Sequence, residues 1–170
     1  MVFSLSAVLA SSVVAALLTA TINILLARNK TKQEERARVR TVLAEAFAAY
    51  AQYRQYPSAI RRRNSEKPAE ERVRIAELIR ATQERINFYV AWTAAESESL
   101  GAAYAELITQ ARRVAGTAMT EAWRSPAIES DAEMVIPTSV LDLAELRPAE
   151  TEYARAVAQH LAGMTRWYKL

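Results

Sequence analysis

The sequence predicts an all-α fold, with one N-terminal transmembrane helix continuing into a cytoplasmic up-down antiparallel four-helix bundle. Three observations carry that expectation. Residues Val2 to Ala27 hold no charged side chain, and six Lys or Arg follow between Arg28 and Arg40. Glycine occurs only 3 times in 170 residues, whereas Ala and Arg are heavily used, which favours helix throughout and has the flavour of a high-GC bacterial genome. Stretches punctuated by Pro57, Pro68, Pro126 and Pro148 carry apolar residues at helical spacing.

The first element is the run Leu5–Leu26, about 22 residues and roughly 33 Å as a helix, enough to cross a ~30 Å hydrocarbon core. A cleaved signal peptide would want a basic start and a shorter apolar core, and Met1–Ser4 carries no Lys or Arg. A buried core helix is the other alternative, set aside because apolar residues occupy every face and no acid or base interrupts them. Residues 1–27 are therefore expected to be a membrane anchor, and residues 28–170 a helical domain. Arg28, Lys30, Lys32, Arg36, Arg38 and Arg40 flank one end of the span. The positive-inside rule then puts the N-terminus outside the inner (plasma) membrane and the rest in the cytoplasm. The same cluster would attract anionic inner-leaflet lipid. Ala7, Ser11, Ala15 and Thr19 recur every four residues, and Asn23 extends the row. Small rows let helices approach closely, so a second copy or another membrane protein is an expected partner.

Helix one is expected to continue through residues 28–56, with Val39, Val42, Leu43, Ala46, Phe47, Tyr50 and Tyr53 as its apolar stripe, and to end at Pro57. Residues 57–67 (PSAIRRRNSEK) then read as a basic loop. Helix two is expected over 68–96, with Pro68 in its first turn, Glu70 and Glu71 at its positive end, and a stripe of Ile75, Leu78, Ile79, Ile86, Phe88, Tyr89, Val90 and Trp92. A polar turn at Glu96–Ser99, capped by Ser97 or Ser99, leads to helix three over 99–125, striped by Tyr104, Leu107, Ile108, Ala111, Val114, Met119 and Trp123. A single kinked helix over 68–125 is the alternative. Residues 126–147 read as irregular, with a short turn of helix near Val140–Leu146. A last helix over 148–168 carries Tyr153, Val157, Leu161 and Met164. Matched helix lengths and short connections suit a bundle, and the stripes are wider than a coiled-coil seam.

This topology places Arg61, Arg62 and Arg63, with Lys67 and Arg72, at a tip roughly 40 Å from the bilayer. It returns Trp167, Tyr168 and Lys169 to the membrane surface, a composition favoured at the headgroup layer. Two stretches hold the positive charge. Residues 28–40 carry six bases and two acids, and residues 54–74 carry seven bases and three acids, so a chain of net charge +3 is left at −5 elsewhere. The tip suits an acidic protein surface or nucleic-acid phosphates, unless it pairs with Glu129, Asp131 and Glu133.

Little points to chemistry. There is no Cys and one His, His160, with Val157 where a Glu-x-x-His di-metal motif needs Glu. No Gly-rich phosphate loop and no nucleophile elbow is present. Catalytic, cofactor and metal residues are accordingly not expected. Glu96 and Glu98 read as a solvated pair and His160 as a helix-rim residue. The expectation is a non-catalytic single-pass membrane scaffold or adaptor that self-associates and presents its charged tip to a cytoplasmic protein. The alternative is a membrane-tethered accessory of nucleic-acid handling.

Overall fold

The computed structural model describes the backbone of residues 3–166 and the side chains of residues 27, 28 and 30–164. Among the described residues the chain is all helix and loop, with no strand. The four long helices are α1 (Phe3–Arg61), α2 (Pro68–Glu96), α3 (Glu98–Arg124) and α4 (Arg147–Arg166). Single turns of tighter helix form at Asp131–Glu133 and Ala144–Leu146. The chain divides into two units, residues 1–41 and 42–170.

The first unit is helical from Phe3 onward. Among the described residues no helix is long and apolar enough to cross a membrane. The side chains of the expected span Leu5–Leu26, including Ala7, Ser11, Ala15, Thr19 and Asn23, lie outside the described residues. Beyond them the helix surface is ionic. Arg38 makes a two-pronged bond to Glu35 at 2.5 and 2.9 Å, which holds the Glu35 carboxyl below its ordinary range. Lys30 stands 3.9 Å from Glu34. Such i,i+3 and i,i+4 pairs on an exposed helix each contribute about 0.3–0.5 kcal/mol.

The second unit is a helical bundle. Leu43 faces Tyr153 and Tyr50 faces Glu150, so α4 descends as α1 rises. Glu45 faces Tyr89 and Tyr56 faces Thr82, so α2 also runs against α1. Asn87 meets Arg112, which sets α3 against α2. The core sits between them, built on Tyr50, Ile60, Ile75, Ile86, Tyr104 and Leu107, each at most 1% exposed.

Two sequence expectations need correction. Helix α1 does not end at Pro57 but continues to Arg61, with Pro57 inside it. An internal proline forfeits one backbone bond and costs about 3 kcal/mol or more. The next turn offsets this by burying Tyr56 and Ile60, at 5% and 0% exposure. The basic loop is therefore only residues 62–67. The second correction concerns α2, whose buried seam is Ile75, Thr82, Ile86, Tyr89 and Thr93. Leu78 and Phe88 are 41% and 60% exposed. The seam repeats at seven-residue and four-plus-three spacing, so it is narrower than the apolar content of α2 suggested. Its two threonines are satisfied locally, Thr82 on the Tyr56 hydroxyl at 2.6 Å and Thr93 on the Tyr89 carbonyl at 2.8 Å.

Ser97 alone separates α2 from α3, in extended conformation. It occupies the cap position, but its hydroxyl meets the Ser99 hydroxyl at 3.2 Å and makes no side-chain cap bond. So tight a turn presses α3 onto α2: a Cβ on Gly101 would lie 2.5 Å from the Ala94 Cα.

Candidate functional site

At the end of the bundle where α1 stops, α3 also ends and the irregular segment 125–146 folds across. Arg61 anchors that segment through its backbone, its carbonyl accepting the Ile128 N–H at 2.8 Å. Arg62 donates to the Met134 carbonyl at 2.7 Å. Arg63 lies half-buried and donates to the carbonyls of Ile60 (2.9 Å), Ala122 (3.2 Å) and Ser125 (2.7 Å). Its guanidinium also sits 5.4 Å from the centre of the Trp123 ring, a cation–π contact. The C-terminal ends of α1, at Ile60, and of α3, at Ala122 and its cap Ser125, supply these acceptors because carbonyls at a helix C-terminus lack intrahelical partners.

Within the arginine triplet Arg61 and Arg63 are half-buried, and Arg62 is exposed. Arg62 and Arg63 close the bundle end through main-chain carbonyls and not through Glu129, Asp131 or Glu133. Lys67 and Arg72 are exposed, Lys67 pairing with Glu70 at 3.2 Å. Of the bases expected to flank a membrane span, Arg28, Lys30, Lys32, Arg38 and Arg40 are exposed and Arg36 is half-buried. Trp167, Tyr168 and Lys169 lie outside the described residues.

Two cavities open beside Arg61. One of about 180 Å³ is lined by Pro57, Ala118, Glu121 and Leu141 among others. The other, about 440 Å³, is lined by Ile128, Glu133, Val135, Ile136 and Val140 among others. Arg61 and Val140 border both.

Three further polar arrangements went unforeseen. His160 Nε2 lies 3.0 Å from Glu96 Oε1, at 16% and 22% side-chain exposure, joining α4 to the last residue of α2. The helix-rim reading of His160 and the solvated reading of Glu96 are thus replaced by a cross-helix pair. Glu150 receives both the Tyr50 hydroxyl, at 2.7 Å, and the Arg54 guanidinium. Burial, reinforced by the bond to Glu150, pushes the Tyr50 phenol well above its ordinary range. Buried tyrosines also cap carbonyls across the bundle, Tyr104 on Ala46 at 2.9 Å and Tyr153 on Leu43 at 3.2 Å. The signal available in the sequence was that a phenol on a buried stripe needs an acceptor. Among the described residues no group of three or more His, Cys, Asp or Glu is placed to hold a metal.

The fold and its end cavity define a helical bundle closed at one end by a loop strapped through arginine–carbonyl bonds. No protein-family model, curated protein or solved structure matches this chain.

Proposed function

We propose that this chain is a non-catalytic, single-pass scaffold or adaptor of the inner (plasma) membrane that self-associates and engages a cytoplasmic protein. The observation that carries the reading is the uncharged run Val2–Ala27 followed by six bases from Arg28 to Arg40. That run is long enough to span, and its flanking charge orients it. The anchor is residues 1–27, with lipid around Leu5–Leu26 and a small row at Ala7, Ser11, Ala15 and Thr19 for contact with a second copy or another membrane protein. The non-catalytic part of the reading is supported by how the bundle uses its polar groups. Tyr56, Tyr104 and Tyr153 bond main-chain carbonyls, Arg62 and Arg63 do the same, and His160 pairs with Glu96. The partner surface is the bundle end that carries Lys67 and Arg72 beside the strapped loop.

The test is a pull-down of the full chain from nanodisc-solubilised membranes, with the mass of the purified complex measured. A homo-oligomer or a stoichiometric protein companion is the expected result. A monomer without companions removes the scaffold reading. Extraction from membranes by alkali without detergent removes the anchor. Nucleic acid in the complex, with steeply salt-dependent binding, replaces the protein partner with the nucleic-acid role.

A further inference from the structure

Three consecutive arginines meet two different fates at the loop end of the bundle. Arg62 and Arg63 find carbonyl acceptors. Arg61 does not: its Nε is buried with no hydrogen-bond partner among the described residues. An N–H buried without a partner is costly even where the rest of its side chain is only half-buried, as it is at Arg61. Native structures hold few such groups, and each calls for an explanation. Here the same residue borders two cavities, the larger about 440 Å³, a size typical of small-ligand sites.

We infer that this cleft binds a small apolar monocarboxylate, its carboxylate on the Arg61 guanidinium and its apolar body against Ile128, Val135, Ile136 and Val140. A guanidinium presents a planar fork that matches the two oxygens of a carboxylate. The walls supply the apolar half of the match, since four branched aliphatic side chains line the larger cavity. The charge of the ligand is set by its surroundings. Glu121 lines the smaller cavity and Glu133 the larger, and their carboxylates oppose a dianion such as a phosphate monoester. The Ile128 N–H bond to the Arg61 carbonyl fixes the residue from which the guanidinium extends, so the cationic end of the site is held by the fold. This inference stands apart from the membrane reading and fails separately from it.

The experiment is calorimetric titration of the full chain in nanodiscs, referenced to empty nanodiscs. The probes are hexanoate, its neutral isostere hexanamide, hexyl phosphate, and acetyl-Val-Ile with a free or amidated C-terminus. Saturable binding of a carboxylate probe is expected, with the matching amide weaker by about tenfold or more. Tighter hexanoate assigns the site to a free acid, and tighter dipeptide acid assigns it to a chain terminus. Arg61→Met should reduce carboxylate affinity by about tenfold or more, while the ligand-free variant melts close to the parent because the bond from the Ile128 N–H is to the Arg61 backbone and is kept. Val140→Trp is the second variant. Val140 is 48% exposed, so the change leaves the core intact while filling the wall common to both cavities, and it too should weaken hexanoate. Absence of saturable carboxylate binding overturns the inference, as does binding indifferent to Arg61→Met and Val140→Trp, or a preference for hexyl phosphate.

Discussion

The bundle interior is written in tyrosine. Tyr50, Tyr56, Tyr89, Tyr104 and Tyr153 place rings on buried stripes and reach with their hydroxyls to a neighbouring helix. Each ring supplies apolar burial, and each hydroxyl adds a directional bond that fixes register, which an all-leucine core would leave loose. Burial raises the phenols of Tyr50, Tyr104 and Tyr153, with Glu150 adding to the effect at Tyr50 and Tyr153 adding to it at Tyr104. The pH consequence has a definite sign. An unfolded tyrosine loses its proton near pH ~10, whereas these three hold theirs to higher pH in the folded state. Their protonated form therefore stabilises the fold fully below about pH 10, and that contribution is lost as pH rises towards the folded values. The denaturant midpoint should be flat from neutral pH to about pH 9 and fall steeply above about pH 10, with tyrosinate absorbance appearing together with loss of helix. Tyrosinate from more than four of the seven phenols appearing before helix is lost would show that these hydroxyls are not held by the fold.

At the scale of elements, two glycines on one helix do opposite things. Gly101, in the first turn of α3, lets the helix backbone lie against Ala94, where a Cβ would fall 2.5 Å from Cα and 2.9 Å from N. Those are backbone atoms that cannot swing aside, so Gly101→Ala should cost about 1–3 kcal/mol by forcing α2 and α3 apart. Gly116 meets nothing within 4 Å at the same test, so Gly116→Ala should add about 0.5–1 kcal/mol by helix propensity alone. Thermal melts of the two variants should move in opposite directions, and a common direction would mean that the α2–α3 contact does not depend on this close approach. The hairpin was legible in the sequence because Pro68 opens α2, Pro126 follows α3, and Ser97 with Ser99 breaks the apolar period between them. The end of α1 was not, because Pro57 is a local stop signal and the burial of Tyr56 and Ile60 that overrides it is a tertiary fact. The bonding partners of the arginine triplet were not legible for a related reason. Three adjacent cations look like a solvated patch, and nothing local reveals that the last turn of α3 offers carbonyls to Arg63.

For the whole molecule, the decisive quantity is where the charge sits. A net charge of +3 conceals a cluster of six bases directly after 26 uncharged residues. In the proposed topology that imbalance holds the bundle on the cytoplasmic side, since moving short basic flanks across a bilayer is disfavoured. The chain has no Cys, so a single introduced thiol reports its own location without background. Ser65 is exposed in the loop between α1 and α2. In spheroplasts, Ser65→Cys should resist a membrane-impermeant maleimide and react once detergent opens the membrane. The orienting role of the charge is then tested by moving it. Arg28→Gln, Lys30→Gln and Lys32→Gln, combined with Ser4→Lys and Ser6→Lys, should make a measurable fraction of the introduced thiol react in intact spheroplasts. Reaction of the thiol in spheroplasts carrying the native flanks would invert the topology. A chain that leaves the membrane fraction in alkali would have no anchor for the charges to orient.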